Sequence, residues 1–191
     1  MGQDTLSSDP LGAKGESRFQ EICEDAGLIC NKSTRDRAGW DFIVEFQFED
    51  AEGGSLDSRA VPLSCHVQAK TLLTRSDRFK ARLSAAERLA KELKPAFIYV
   101  FKVDGTQFTE AYLIHIMDRT LEKILRRLRE LRAAGKSDKV NITYISFSSA
   151  REGKKIEPTG KALQAAIQAT CGLDLQSNGE VRLDDSKFGN I

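Results

Sequence analysis

The chain reads as an α/β protein with a mixed sheet flanked by helices, and three observations predict it. Segments of period-two alternation take turns with segments of helical period along the chain. Two apolar segments, residues 97–103 and 112–117, are nearly continuous, as strands covered on both faces are. No internal repeat breaks the order, and no apolar run nears the ~20 residues that a bilayer crossing needs. At 191 residues one domain with a full core is the default.

Residues 1–13 read as a flexible N-terminal arm, because Ser, Asp, Pro and Gly dominate them. A helix follows over residues 14–26, where Phe19, Ile22 and Cys23 recur at helical spacing and Gly27 falls at the expected left-handed stop. Residues 28–32 suit a short connecting strand, and residues 33–39 are polar and turn-like. Over residues 40–48, Phe42, Val44, Phe46 and Phe48 alternate with Asp41, Ile43, Glu45 and Gln47, which predicts a strand. Gly53 and Gly54 lie in a hairpin-type loop before a partner strand over residues 61–72, whose Ser64, His66, Gln68 and Lys70 oppose Cys65, Val67 and Ala69.

Ser84 and Glu87 form a capping-box pattern ahead of a helix that Pro95 closes. Strands over residues 97–103 and 112–117 follow, and Asp118 stands where it would cap a long helix reaching residue 134. That helix carries a Leu121, Ile124, Leu125, Leu128, Leu131 stripe with Arg126, Arg127, Arg129 and Arg132 off it. A solvated face is the ordinary explanation of those arginines, and contact with a DNA backbone the rarer one. Residues 140–147 alternate as a strand, residues 159–170 as a final helix, with Gly172 as its stop. The expected organisation is thus a domain over residues 14–172, and residues 173–191 as a tail or linker to a missing or partner module.

Composition narrows the setting. The formal net charge of +1 excludes a polyanion site spread over the whole surface, so any such site is local. Two local patches stand out: Lys32, Arg35 and Arg37, then Arg75, Arg78, Lys80 and Arg82. The first residues lack a basic start and an apolar stretch, which points to a reducing cytoplasm. Cys23, Cys30, Cys65 and Cys171 share no metal-binding spacing and sit among apolar neighbours, as buried core thiols do.

The chemistry-bearing residues concentrate on the two strands around the Gly53-Gly54 loop. Asp41 projects from the face opposite the phenylalanines, where a core cannot absorb an unpaired charge. If the strands pair, a carboxylate, the Gln68 amide oxygen and the Lys70 ammonium converge. Hard oxygen ligands favour Mg²⁺ or Mn²⁺ over Zn²⁺. Such a cation acidifies water and neutralises phosphoryl charge, while an adjacent lysine adds preorganised positive charge worth a few kcal/mol, to within about a factor of two.

The order Gly15-Glu16, then Asp36-x-x-Gly39-Trp40-Asp41, then Val67-Gln68-Ala69-Lys70 resembles the PD-(D/E)XK nuclease superfamily in its Gln-x-Lys branch. Within that branch it is similar to the nuclease effector domains of bacterial anti-phage systems of the CBASS or Lamassu type, over residues 14–147. The resemblance implies a restriction-endonuclease-like sheet and a Mg²⁺- or Mn²⁺-dependent DNA endonuclease. It further implies Glu16 approaching from the first helix, Asp41 as central metal ligand, Gln68 in place of the usual second acid, Lys70 as catalytic lysine, and the Ala69 carbonyl as a further ligand. A regulated effector is implied as well, controlled by a sensor or regulatory module or subunit; cutting both strands of a duplex suits a homo-oligomer when active. The competing reading is a catalytically silent nucleic-acid-binding or scaffold domain of the same fold.

Blander roles stand beside these. Glu16 is placed to favour a helix dipole, and Gln68 with Lys70 suits an exposed sheet face. Glu45 joins a second metal or pairs with a lysine. His66 reads as an edge or structural histidine, His115 as a core one, and Trp40 as a plug at the sheet end in preference to a base-stacking platform.

Overall fold

Alternation along residues 61–73 builds the strand on which the rest is organised. In the computed structural model, which describes residues 8–33, 39–47 and 61–182, and side chains only as far as residue 171, this strand is β3, Ser64–Leu73. It follows α1 (Ser8–Asp25), β1 (Ile29–Lys32) and β2 (Phe42–Glu45). After it come β4 (Arg78–Arg82), α2 (Leu83–Ala90), β5 (Ala96–Asp104), β6 (Gln107–His115) and α3 (Asp118–Ala133). A 3-10 turn, Ser137–Asn141, leads to β7 (Tyr144–Ser148), α4 (Ser149–Glu152), β8 (Lys154–Ile156) and α5 (Gly160–Arg182). Asp36, Arg35, Arg37, Phe48 and the Gly53-Gly54 loop lie outside the described residues.

Six strands form one mixed sheet in the order β1-β2-β3-β5-β6-β8. The β2–β3 pair is antiparallel, as pairing around the loop requires, with Phe42 opposite Val67 and Glu45 opposite Ser64. Only β3 and β5 run parallel among the registered pairs, joined by a crossover through β4 and α2. β4 and β7 make a separate two-stranded ribbon. The mixed sheet between helices is therefore as the sequence predicts.

The two faces of the sheet are covered differently. Phe42, Val44, Val67, Phe97, Tyr99 and Phe101 pack beneath α1 and α5, where the Phe19 ring lies 4.9 Å from Phe42 and 5.2 Å from Tyr99. Each aromatic so enclosed stabilises the fold by about 2–3 kcal/mol through removal from water. Cys23, Cys65 and Cys171 are buried in this layer and Cys30 packs against it, as core thiols. Ile98, Val100, Ile114 and Ile116 face the other way, under α2, α3 and the β4–β7 ribbon, with Trp40 and Leu72 packed against that layer.

Several expectations need correction. Helix α1 begins at Ser8, so residues 8–13 are helical and not part of an arm: Leu11 adds a buried apolar residue one helical turn before Gly15. The Ser84–Glu87 capping box does not form. Helix α2 starts straight from β4 at Leu83, whose N–H finds the Thr143 carbonyl at 2.8 Å, while Glu87 pairs with Lys91 at 2.5 Å. Asp118 is no cap either, since it lies inside the first turn of α3 with φ of 46° and Met117 stands at the cap position without a side-chain bond. Residues 140–147 divide between the 3-10 turn and β7. Gly172 does not stop α5, which continues to Arg182. Gly27 is the left-handed helix stop its position predicts, with φ of 68°.

Candidate metal centre

Asp41 owes its placement to a slip where β2 begins. Phe42 is the residue in register with Val67, yet the Asp41 N–H also reaches the Val67 carbonyl, at 3.0 Å. Two consecutive residues thus stand against one, as in a bulge, and the bulged residue leaves the regular alternation. Its carboxylate turns to the neighbouring strand and accepts the Ala69 N–H at 2.8 Å. Gly39, at φ of 87°, makes the preceding turn, and a side chain there would sit 2.9 Å from the Ala85 carbonyl oxygen and from Arg88 Cβ. Trp40 then stacks on His66, 4.2 Å between ring centres at 25°, and packs partly buried against the layer under α2 and α3.

Burial pushes the Asp41 carboxyl above the ordinary range. The Lys70 ammonium is the strongest influence in the other direction, followed by the Ala69 N–H; Glu16 raises it and Lys32 lowers it. Lys70 therefore lies within electrostatic reach of Asp41, on the strand to which Asp41 is hydrogen-bonded. Gln68 stands between them in sequence, and only 7% of it is exposed. Its Oε1 is buried with no hydrogen-bond partner. An amide oxygen in that state ordinarily costs about 1–3 kcal/mol.

Glu16 comes from the other side of the sheet. Helix α1 lies so close to β3 at Gly15 that a Cβ there would fall 1.8 Å from Thr71 Oγ1. Glu16, next in sequence, is carried to the same corner, where its Oε2 meets Lys32 Nζ at 2.9 Å. The pair raises the Lys32 ammonium above its usual value, chiefly through that hydrogen bond. Sequence placed Lys32 in a basic patch and missed it as partner of Glu16; its position at the end of β1, opposite Phe42, was the available signal.

The residues the sequence nominated thus divide. Asp41, Lys70, Ala69 and Glu16 interact in one locality, with Gln68 on the strand segment between Ala69 and Val67. Ala69 takes part through its N–H, a contact sequence did not announce. Glu45 lies at the far end of β2, where Ser64 donates to its Oε1 at 3.4 Å, and Lys94 in turn donates to Ser64 at 3.0 Å. Four residues of strand put it about 13 Å from Asp41. His66 is structural in setting: buried, lowered in pKa by that burial, and with Nδ1 3.3 Å from Glu92 Oε2 without hydrogen-bond alignment. His115 stacks on Phe97 at 4.8 Å.

Among the described residues, no group of three or more His, Cys, Asp and Glu gathers to hold a metal. The donor set here is different in kind: two carboxylates, an unpartnered amide oxygen and a lysine. It fits a hard, oxygen-preferring divalent cation, because the buried Gln68 Oε1 lacks a donor and Asp41 is under-compensated. A larger cavity of about 940 Å³ lies at the other end of β3, with Phe46, Leu63, Leu93 and Met117 in its walls. Its walls are mostly apolar, and their polar groups include the Glu45, Ser64 and Lys94 set already described, with Glu92 and His115. No helix among the described residues is long and apolar enough to cross a membrane. No protein-family model matches the chain, and no curated protein matches it.

Proposed function

We propose that the chain is a metal-dependent DNA endonuclease that hydrolyses phosphodiesters at the Asp41–Gln68–Lys70 corner, within a regulated effector of bacterial anti-phage defence. The observation that carries this reading is the buried, partnerless Gln68 Oε1, on the strand segment whose Val67 carbonyl and Ala69 N–H hold Asp41, a carboxyl raised by burial. Asp41, Gln68, Glu16 and the Ala69 carbonyl are the groups that would hold Mg²⁺ or Mn²⁺. When bound, such a cation supplies Lewis-acid neutralisation of phosphoryl charge and an acidified water.

The chain's own residues do the remaining work. The Ala69 N–H fixes one Asp41 oxygen at 2.8 Å, leaving the other for a ligand. Lys70, within electrostatic reach of Asp41, offers positive charge where the phosphorane develops. Lys32 pairs with Glu16 at 2.9 Å and so orients that carboxylate towards the same corner. The sequence order of these residues, similar to that of PD-(D/E)XK nucleases, supports the same reading, as does the antiparallel β2–β3 pair.

Plasmid DNA incubated with Mg²⁺ or Mn²⁺ tests it. Wild type is expected to cut, and Asp41→Ala and Lys70→Ala to lose cutting while keeping their fold. Equal degradation by all three would refute the site. Binding of DNA without cleavage by any of them would favour the silent scaffold domain.

A further inference from the structure

The β4–β7 ribbon carries a cationic face that the proposed metal centre does not use. Along β4 the sequence Arg-Phe-Lys-Ala-Arg alternates, and Phe79 and Ala81 enter the core beneath α2 and α3 with Ile145 and Phe147 of β7. Arg78, Lys80 and Arg82 consequently share the outer face and are exposed. Across the ribbon Lys80 faces Ser146, and Arg82 faces Tyr144, which is 52% exposed. Successive cations are about 6.7 Å apart along the strand.

Nearby acids do not neutralise them. Asp77 accepts from Ser148 Oγ at 2.6 Å, Ser149 Oγ at 2.8 Å and the Ala150 N–H at 2.9 Å. Glu152 takes Lys123 at 2.6 Å and the Ser148 N–H at 2.7 Å. Among the described residues, none of the three ribbon cations has an ion-pair partner. Basic side chains on an edge strand also deter edge-to-edge pairing, but that role does not call for an exposed tyrosine in the same row. Three unpaired cations beside an amphipathic ring match a sugar-phosphate backbone, with phosphates for the charges and a sugar or unpaired base for the ring.

The ribbon is also continuous with the metal centre. It packs in the same layer as Trp40 and Leu72, which flank Asp41 and Lys70 in sequence. β4 passes without a break into α2, whose Ala85 and Arg88 crowd Gly39. We propose that Arg78, Lys80, Arg82 and Tyr144 form a nucleic-acid backbone track that holds the substrate strand beyond the cutting site. This rests on the phosphodiesterase reading above for its substrate.

Anisotropy of a labelled mixed-sequence DNA duplex, and of an RNA duplex of the same sequence, tests it with the full chain in EDTA from 50 to 300 mM KCl. The two arms distinguish which polymer supplies the phosphates. Arg78→Gln/Lys80→Gln/Arg82→Gln is expected to weaken binding at least tenfold at 50 mM KCl and to flatten the log–log salt slope by about 2–3. Its melting temperature should stay that of wild type, and Tyr144→Ala should weaken binding a few-fold with the slope unchanged. Unchanged affinity and slope in the triple variant, or no binding of either duplex by wild type, would overturn the track. Mg²⁺-dependent plasmid cutting by wild type and Lys70→Ala reads the metal centre separately: cutting that persists in the triple variant with unchanged KM sinks the track and leaves the centre intact.

Discussion

Two aspartates bracket β3 and meet opposite treatment. Asp77, just beyond its end, receives three short hydrogen bonds from Ser148, Ser149 and Ala150, and these donors hold its carboxyl down to about 2. Lys102, nearly buried, adds positive charge 4.0 Å away and donates to the Ser76 carbonyl beside it. Asp41, against the other half of the strand, has one N–H donor and is raised by burial. A carboxylate whose oxygens are fully served is a joint, here tying β4 to the β7–α4 corner. One that is half-buried and underserved, as Asp41 is, has capacity for a ligand, and its discomfort is paid for by the fold around it.

Activity separates the two most sharply. Lys70→Ala and Asp41→Asn should lower metal-dependent cleavage by about 10²-fold or more, the size expected when one preorganised charge is lost, whereas Asp77→Asn should cut plasmid at the wild-type rate. A cleavage assay with all three variants would end the comparison if Asp77→Asn were the inactive one.

Stability should rank them in reverse. Asp77→Ala removes three hydrogen bonds at a partly exposed site and should cost about 1–2 kcal/mol, read as a melting temperature lower by several degrees. Asp41→Asn should melt at or above the wild-type temperature, since an amide removes a charge the site disfavours. Added Mg²⁺ or Mn²⁺ should raise the melting temperature of wild type and leave that of Asp41→Asn unmoved.

Acid titration sharpens the contrast, because the signs differ. The depressed carboxyl of Asp77 contributes stability that is present above the unfolded value of about 3.9 and lost as pH falls through about 2. The raised carboxyl of Asp41 contributes stability that is full below that unfolded value and lost as pH rises through its higher folded one. Chemical denaturation at a series of pH values should therefore show a steeper loss towards acid for Asp41→Asn than for wild type. Parallel curves would remove the claim that Asp41 is strained.

The smallest expected effect falls on Gln68. Gln68→Leu should leave melting unchanged or slightly higher, since Oε1 gives up no protein hydrogen bond, while weakening cation binding measured by calorimetry. Gln68→Glu should tighten it.

Where periodicity was strong, the sequence was legible: β2, β3, β5 and α3 follow from their apolar patterns. β4 shows why legibility fails. Its alternation is complete, but three of its five residues are basic, so charge concealed the strand and the patch was visible only as composition. β8 and α4 are too short for any period to register. For the candidate metal centre, Glu16, Asp41, Gln68 and Lys70 were nominated from residue type and order alone. The Ala69 N–H contact and the Lys32 partnership of Glu16 were not, since a backbone donor has no letter and an ion pair between α1 and β1 depends on how the helix lies.

That lie is fixed at one point. Gly15 brings the α1 backbone into contact with Thr71 on the strand that carries Lys70, so helix and strand share a common datum two residues wide. A glycine inside a helix gives up about 1 kcal/mol relative to alanine, and here the return is dimensional: the spacing between Glu16 and the Lys70 strand is set by atoms in van der Waals contact. Residues on the solvent side of α1 are then at liberty to vary, whereas a side chain at position 15 would have to displace the Thr71 hydroxyl or shift the helix that carries Glu16.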